Sequence, residues 1–121
     1  DFQMLQTTDN YIFEQVIKTS SKWANDNSLM YVVGATQAEM LKKVRAIVPN
    51  HFLLIPGVGA QGGSLEEVVK HGINSEVGLL VNSSRSIIFA SKDKDFAEVA
   101  SIEAMKMQQQ MEKYLQDYSF I

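Results

Sequence analysis

FLLIPGVGAQGGSLEEVV, residues 52–69, decides the fold. Residues 52–55 are a short, continuous apolar run, the pattern of a strand buried on both faces. The glycine-rich loop PGVGAQGG, 56–63, follows. Ser64 with Glu67 then forms a capping box, and Leu65, Val68 and Val69 make the apolar face of a short helix. The stretch therefore reads as strand, loop, helix.

The same unit recurs on both sides. Upstream, LMYVVGA at 29–35 is a second buried strand ending near Gly34. Thr36 and Glu39 cap a helix with Met40, Leu41, Val44, Ile47 and Val48 on its buried face, stopped by Pro49-Asn50. Before it, residues 11–25 predict an amphipathic helix with Asp9 as N-cap. Its stripe is Phe13, Val16, Ile17, Ser20, Trp23 and Ala24. Residues 25–28 are a turn. Downstream, residues 71–76 are a loop and VGLLV at 77–81 is a third strand. A turn at 82–85 and a helical turn at 86–90 follow. A long helix from about Asp93 to Tyr118 has Phe96, Val99, Ala100, Ala104, Met107, Met111, Leu115 and Tyr118 on its core side.

The order α-βα-βα-βα means a parallel sheet. Tyr31, Leu54 and Leu80 lie 23 and 26 residues apart. That rhythm is tight even for a (β/α)8 barrel, whose eight units take roughly 250 residues. Three parallel strands leave unpaired N–H and C=O groups on both outer strands. The expectation is the C-terminal part of a larger α/β protein, with the remainder associated.

Composition sets outer bounds. The chain has 121 residues, 45% of them hydrophobic and 21% charged, which excludes a disordered, collagen-like or coiled-coil chain. Eleven Lys and Arg against 14 Asp and Glu leave a net charge of −3. That argues against nucleic acid or an anionic membrane as main partner and leaves room for a local anion site. There is no cysteine, hence no disulfide and no thiolate metal site, which fits a reducing compartment. No apolar run reaches the roughly 18 residues of a membrane span. The leading DFQMLQ has no signal-peptide pattern. The absence of a starting Met fits a processed chain or a fragment.

Gly57, Gly59 and Gly62 have the G-x-G-x-x-G spacing of a dinucleotide loop, with Glu76 at the distance expected of a ribose partner. The context disagrees, because the loop lies mid-chain, its helix is short and Glu76 precedes the third strand. The glycines then have two readings: a tight turn needing positive φ, or a backbone nest offering amides to an anion. Gln61 adds two amide donors at its centre. Arg85 stands either as a solvated cation or as a planar, bidentate match to phosphate, with Ser83 and Ser84 beside it. Both loops follow strands, so both belong to the carboxyl-end face where barrels bind phosphate. Together they are a stronger signal than either alone. His51 and His71 read as surface residues, the methionines as core, and 92–95 as a solvated charged turn.

VVGAT at 32–36, LLIPGVGAQGG at 53–63 and LLVNSSRSIIFAS at 79–91 together resemble the orotidine 5'-phosphate decarboxylase family, particularly its long bacterial form. The leading DFQ resembles the tail of that family's Thr-Ser-Asn-x-Gly loop. The resemblance implies an α/β fold, the (β/α)8 TIM barrel. This chain would cover roughly strands six to eight, and residues 1–121 would be the C-terminal part of one barrel domain without a separate second domain.

It also implies a cytoplasmic homodimer without metal or organic cofactor. Such an enzyme removes the C6 carboxylate of orotidine 5'-phosphate to give uridine 5'-phosphate in pyrimidine biosynthesis. Carried across, Gln61 and Arg85 would hold the phosphate, Gly59, Ala60 and Ser84 would help cradle it, and Pro56 and Val58 would line the pocket. The family's catalytic Asp-x-Lys-x-x-Asp element is missing from these residues, and DKDFAE at 93–98 has the wrong spacing. The chain is thus expected to carry no catalytic residue and to be inactive without the N-terminal part of the barrel. The alternative is a non-catalytic barrel relative that binds a phosphate or nucleotide.

Overall fold

The computed structural model describes residues 2–59 and 62–121. Strands β1 (Tyr31–Val32), β2 (Leu53–Pro56) and β3 (Leu79–Asn82) form a parallel sheet in the order β1-β2-β3. Tyr31 pairs with Leu53 and Leu53 with Leu79; Val32, Leu54 and Leu80 form the next row, and Pro56 faces Asn82. The β1–β2 bonds continue past the formal strand, with Val33 and Ala35 donating to Leu54 (2.9 Å) and Pro56 (3.1 Å). The sequence reading thus finds all three strands, with β2 and β3 displaced by one or two residues.

Helices α1 (Ile12–Ser20), α2 (Ala38–Ile47) and α3 (Leu65–Gly72) precede or follow these strands, and α4 (Arg85–Ile88) and α5 (Phe96–Asp117) complete the chain. Alternation along the strands sends Leu53, Ile55 and Leu79 into one face. They meet Ile17 of α1, Leu41 and Val44 of α2, Val48 just beyond it, and Leu65, Val68 and Val69 of α3. Met107, Met111 and Tyr114 of α5 pack against the edge of this cluster, and no residue of α5 is fully buried. Fully burying a Leu or Ile side chain contributes about 2 kcal/mol. Gly72 closes α3 against this core. A Cβ there would lie 2.7 Å from Leu41 Cδ2 and 3.0 Å from Leu79 Cδ2. Gly72→Ala is expected to destabilise by about 1–2 kcal/mol through overpacking, read as a lower urea midpoint.

The opposite face of the sheet is bare. Val32 is 70% exposed and Leu80 47% exposed, although both sit in the paired row with Leu54. The expectation of strands buried on both faces is therefore corrected: within this chain helices cover one face only. Val16 and Trp23 on the expected core stripe of α1, and Phe96 and Tyr118 on that of α5, are exposed as well.

Caps differ in detail. Tyr11, not Asp9, is the N-cap of α1, and its amide donates to Glu14 Oε2 (2.9 Å). Helix α1 ends at Ser20, short of residue 25; there Ser20 Oγ bonds back to the Val16 carbonyl (2.8 Å) and pairs with Tyr31 Oη (3.1 Å). Gln37, not Thr36, precedes α2, without a side-chain cap. Ser64 does cap α3, accepting from the Glu67 amide at 3.3 Å.

The two histidines are not surface residues. The His71 side chain is largely covered and bonds to Glu67 Oε2 (3.2 Å). His51 packs by Tyr31, ring centroids 5.5 Å apart, and among the described residues its buried ring nitrogens have no partner.

Arg45 of α2 ties the amino ends of the strands together. Its Nε donates to Gly72 O (2.7 Å), Nη1 to the carbonyls of Val48, Pro49 and His51 (3.1, 3.2 and 2.6 Å), and Nη2 to Gly78 O (2.9 Å). Burial lowers its pKa, yet a guanidinium stays charged throughout the accessible pH range.

Candidate phosphate pocket

The loops after β2 and β3 face one another at the carboxyl ends of their strands. Pro56 and Asn82 are register partners, so the two chains leave the sheet side by side. Between them lies a pocket of about 270 Å³, lined by Pro56, Gly57, Val58, Asn82, Ser83, Ser84 and Arg85. The structure thus brings Pro56, Val58, Ser84 and Arg85 into one place. Ala60 and Gln61 lie outside the described residues. Gly59 stands in the same loop, behind the lining residues. It has φ +82°, and a Cβ on it would lie 3.5 Å from Ser86 Oγ, so the two loops run close together.

The glycine loop is braced from within. Gly59 N–H donates to Gly63 O (3.0 Å), Gly62 N–H to Gly59 O (2.8 Å) and Gly63 N–H to Gly57 O (3.3 Å). These amides are already satisfied, which corrects the picture of a nest offering them all to a ligand. Val58 is buried in the core and anchors the loop. The rigid turn therefore shapes one wall, and side chains of the other loop supply the polar groups.

Arg85 opens α4 and is exposed beside the pocket, and among the described residues no ion pair engages it. Its fork is available to an anion, and among the described residues the pocket wall carries no carboxylate to compete. Ser84 has no side-chain capping bond, while the hydroxyls of Ser83 and Ser86 bond to each other. Asn82 and Ser86 were not singled out from sequence. Asn82 could have been found as a polar residue at the carboxyl end of a strand. Ser86 looks like an ordinary helix residue and carries no such signal. A second hollow, about 220 Å³, is formed by Gln6–Tyr11 and Glu14 around the N-terminal turn.

A parallel sheet with a helix after each strand, and a pocket where neighbouring strands end, is the working end of a β/α barrel. No family model matches the chain. Among curated proteins it is 59% identical over 116 residues to an orotidine 5'-phosphate decarboxylase of Phocaeicola vulgatus, covering 95% of this chain and 43% of that protein. A solved UMP synthase of Leishmania donovani superposes with a TM-score of 0.72 at 33% identity, covering 89% of this chain and 24% of that one. The orotidine-monophosphate decarboxylase structure of the same organism gives 0.70 at 30%, covering 90% and 42%. The chain spans about two fifths of the length of the curated relatives it matches. In sequence and fold the chain matches a C-terminal portion of the orotidine 5'-phosphate decarboxylases, whose fold is a TIM barrel.

Proposed function

We propose that this chain supplies the phosphate-holding side of an orotidine 5'-phosphate decarboxylase site. One observation carries the reading: the glycine turn and the Arg85 loop enclose a single pocket at the ends of paired strands. Arg85 provides the charge, Ser83 and Ser84 add polar groups, and Pro56 and Gly57 form the opposite wall. The family resemblance adds Gln61 and Ala60 to the grip, with Gly59 holding the turn in shape. A dianionic phosphate there would place the nucleotide's base toward the open face of the sheet.

Residues 1–121 would then be one part of a single barrel domain, without a second domain. The remaining strands would bring the Asp-x-Lys-x-x-Asp element, whose lysine protonates C6 after carbon dioxide leaves. This division has a mechanistic use, since binding energy from a remote phosphate can organise a reacting centre that it does not touch. A cytoplasmic homodimer is part of the same proposal. Its support is the resemblance to the decarboxylases alone.

Calorimetric titration of the full-length protein tests the pocket. Uridine 5'-phosphate is expected to bind at least on the order of a hundredfold more tightly than uridine, the difference being the charged hydrogen bonds to phosphate. Equal affinities would overturn the reading. A decarboxylation assay on the same sample separates an enzyme from a non-catalytic nucleotide-binding relative.

A further inference from the structure

The Ser83 and Ser86 hydroxyls form a pair beside the pocket. Their surroundings differ. Ser83 lines the pocket with Asn82, Ser84 and Arg85. Ser86 lies behind it, half-buried against the Gly59 turn. Each hydroxyl carries one proton and can also accept. A bonded pair uses one proton between its members and leaves the other for an outside acceptor. Among the described residues neither hydroxyl has a second side-chain partner.

A phosphate in the pocket accepts hydrogen bonds and donates none when fully ionised. It would draw the proton of the serine facing it, Ser83, whose oxygen then accepts from Ser86. We propose that Ser83 donates directly to the phosphate and that Ser86 is a positioning residue, holding the pair so that Ser83's proton points into the pocket. The proposal rests on the phosphate reading above and extends it to two residues. A hydroxyl donating to an anion is roughly twice as strong as a neutral pair, so the orientation has a measurable effect. Ser86 would also set the height of the Arg85 loop against the glycine turn.

The test is a double-mutant cycle in the full-length protein, titrated with uridine 5'-phosphate and with uridine. Ser83→Ala is expected to weaken uridine 5'-phosphate roughly tenfold and leave uridine unchanged. Ser86→Ala is expected to weaken it by about three- to fivefold, and Ser86→Thr, which keeps the hydroxyl, to restore most of that. The double alanine variant should bind no more weakly than Ser83→Ala alone, because Ser86 acts through Ser83.

Equal losses for both ligands, or independent losses that multiply, would make the pair merely structural and overturn the proposal. No loss in either serine variant, with Arg85→Ala still abolishing the preference for the phosphorylated ligand, would overturn this inference and leave the phosphate pocket standing. An intact preference in Arg85→Ala as well would remove the pocket reading itself.

Discussion

On the proposed function, Arg85→Ala in the full-length protein is expected to lower kcat/KM for orotidine 5'-phosphate on the order of a thousandfold, about 4 kcal/mol of transition-state stabilisation. The figure follows from two charge-assisted hydrogen bonds, each worth roughly 1.5–3 kcal/mol. Because Arg85 is exposed and holds no described ion pair, the variant should keep its thermal midpoint. Loss of activity without loss of fold distinguishes recognition from folding damage. Arg85→Lys retains the charge and not the planar fork, so it should recover part of the loss. Steady-state kinetics decide the matter, and an unchanged kcat/KM in the alanine variant would remove Arg85 from the site.

The second large effect is on stability. Arg45→Met is expected to destabilise the fold by about 3 kcal/mol, measured as a shift in urea midpoint. Methionine keeps the apolar stem and removes all the donors. Gly78 O would still accept from Leu53 N–H and Pro49 O from Asn74 Nδ2, at 2.9 Å each. The carbonyls of Val48, His51 and Gly72 would lose their guanidinium partner, at roughly 1 kcal/mol each. Arg45→Lys should fall between, since one ammonium cannot reach three separate chain segments at once. A midpoint unchanged in Arg45→Met would show that water replaces the guanidinium without cost.

Much of this was legible in the residues. The apolar runs around Tyr31, Leu54 and Leu80 stand out because buried strands concentrate hydrophobic residues, and Ser64 announces α3 because a cap is a local event. The pocket was legible because both of its loops follow such strands, and parallel pairing then brings them together. What escaped was non-local. Arg45 looks like one more cation on a helix, yet Gly72 and Gly78, which accept from it, lie 27 and 33 residues away. Val32 and Leu80 are as apolar as Leu53, and no local pattern tells which side of a sheet a single chain will cover. Asp9 and Thr36 have the right chemistry for caps, but Glu14 satisfies the first turn of α1 from within, and α2 starts one residue later. The amides of Gly59, Gly62 and Gly63 could not be known to be occupied until the turn was closed upon itself.

The two arginines stand at opposite ends of the same strands. Arg45 gathers the carbonyls just before β2 and β3, and Arg85 borders the hollow just after them. Reinforcement and the proposed recognition are thereby housed apart, with the sheet between them. Substitutions that harden the lower end can offset the damage of innovative changes at the upper one, so new ligand preferences can be explored there without unravelling the scaffold.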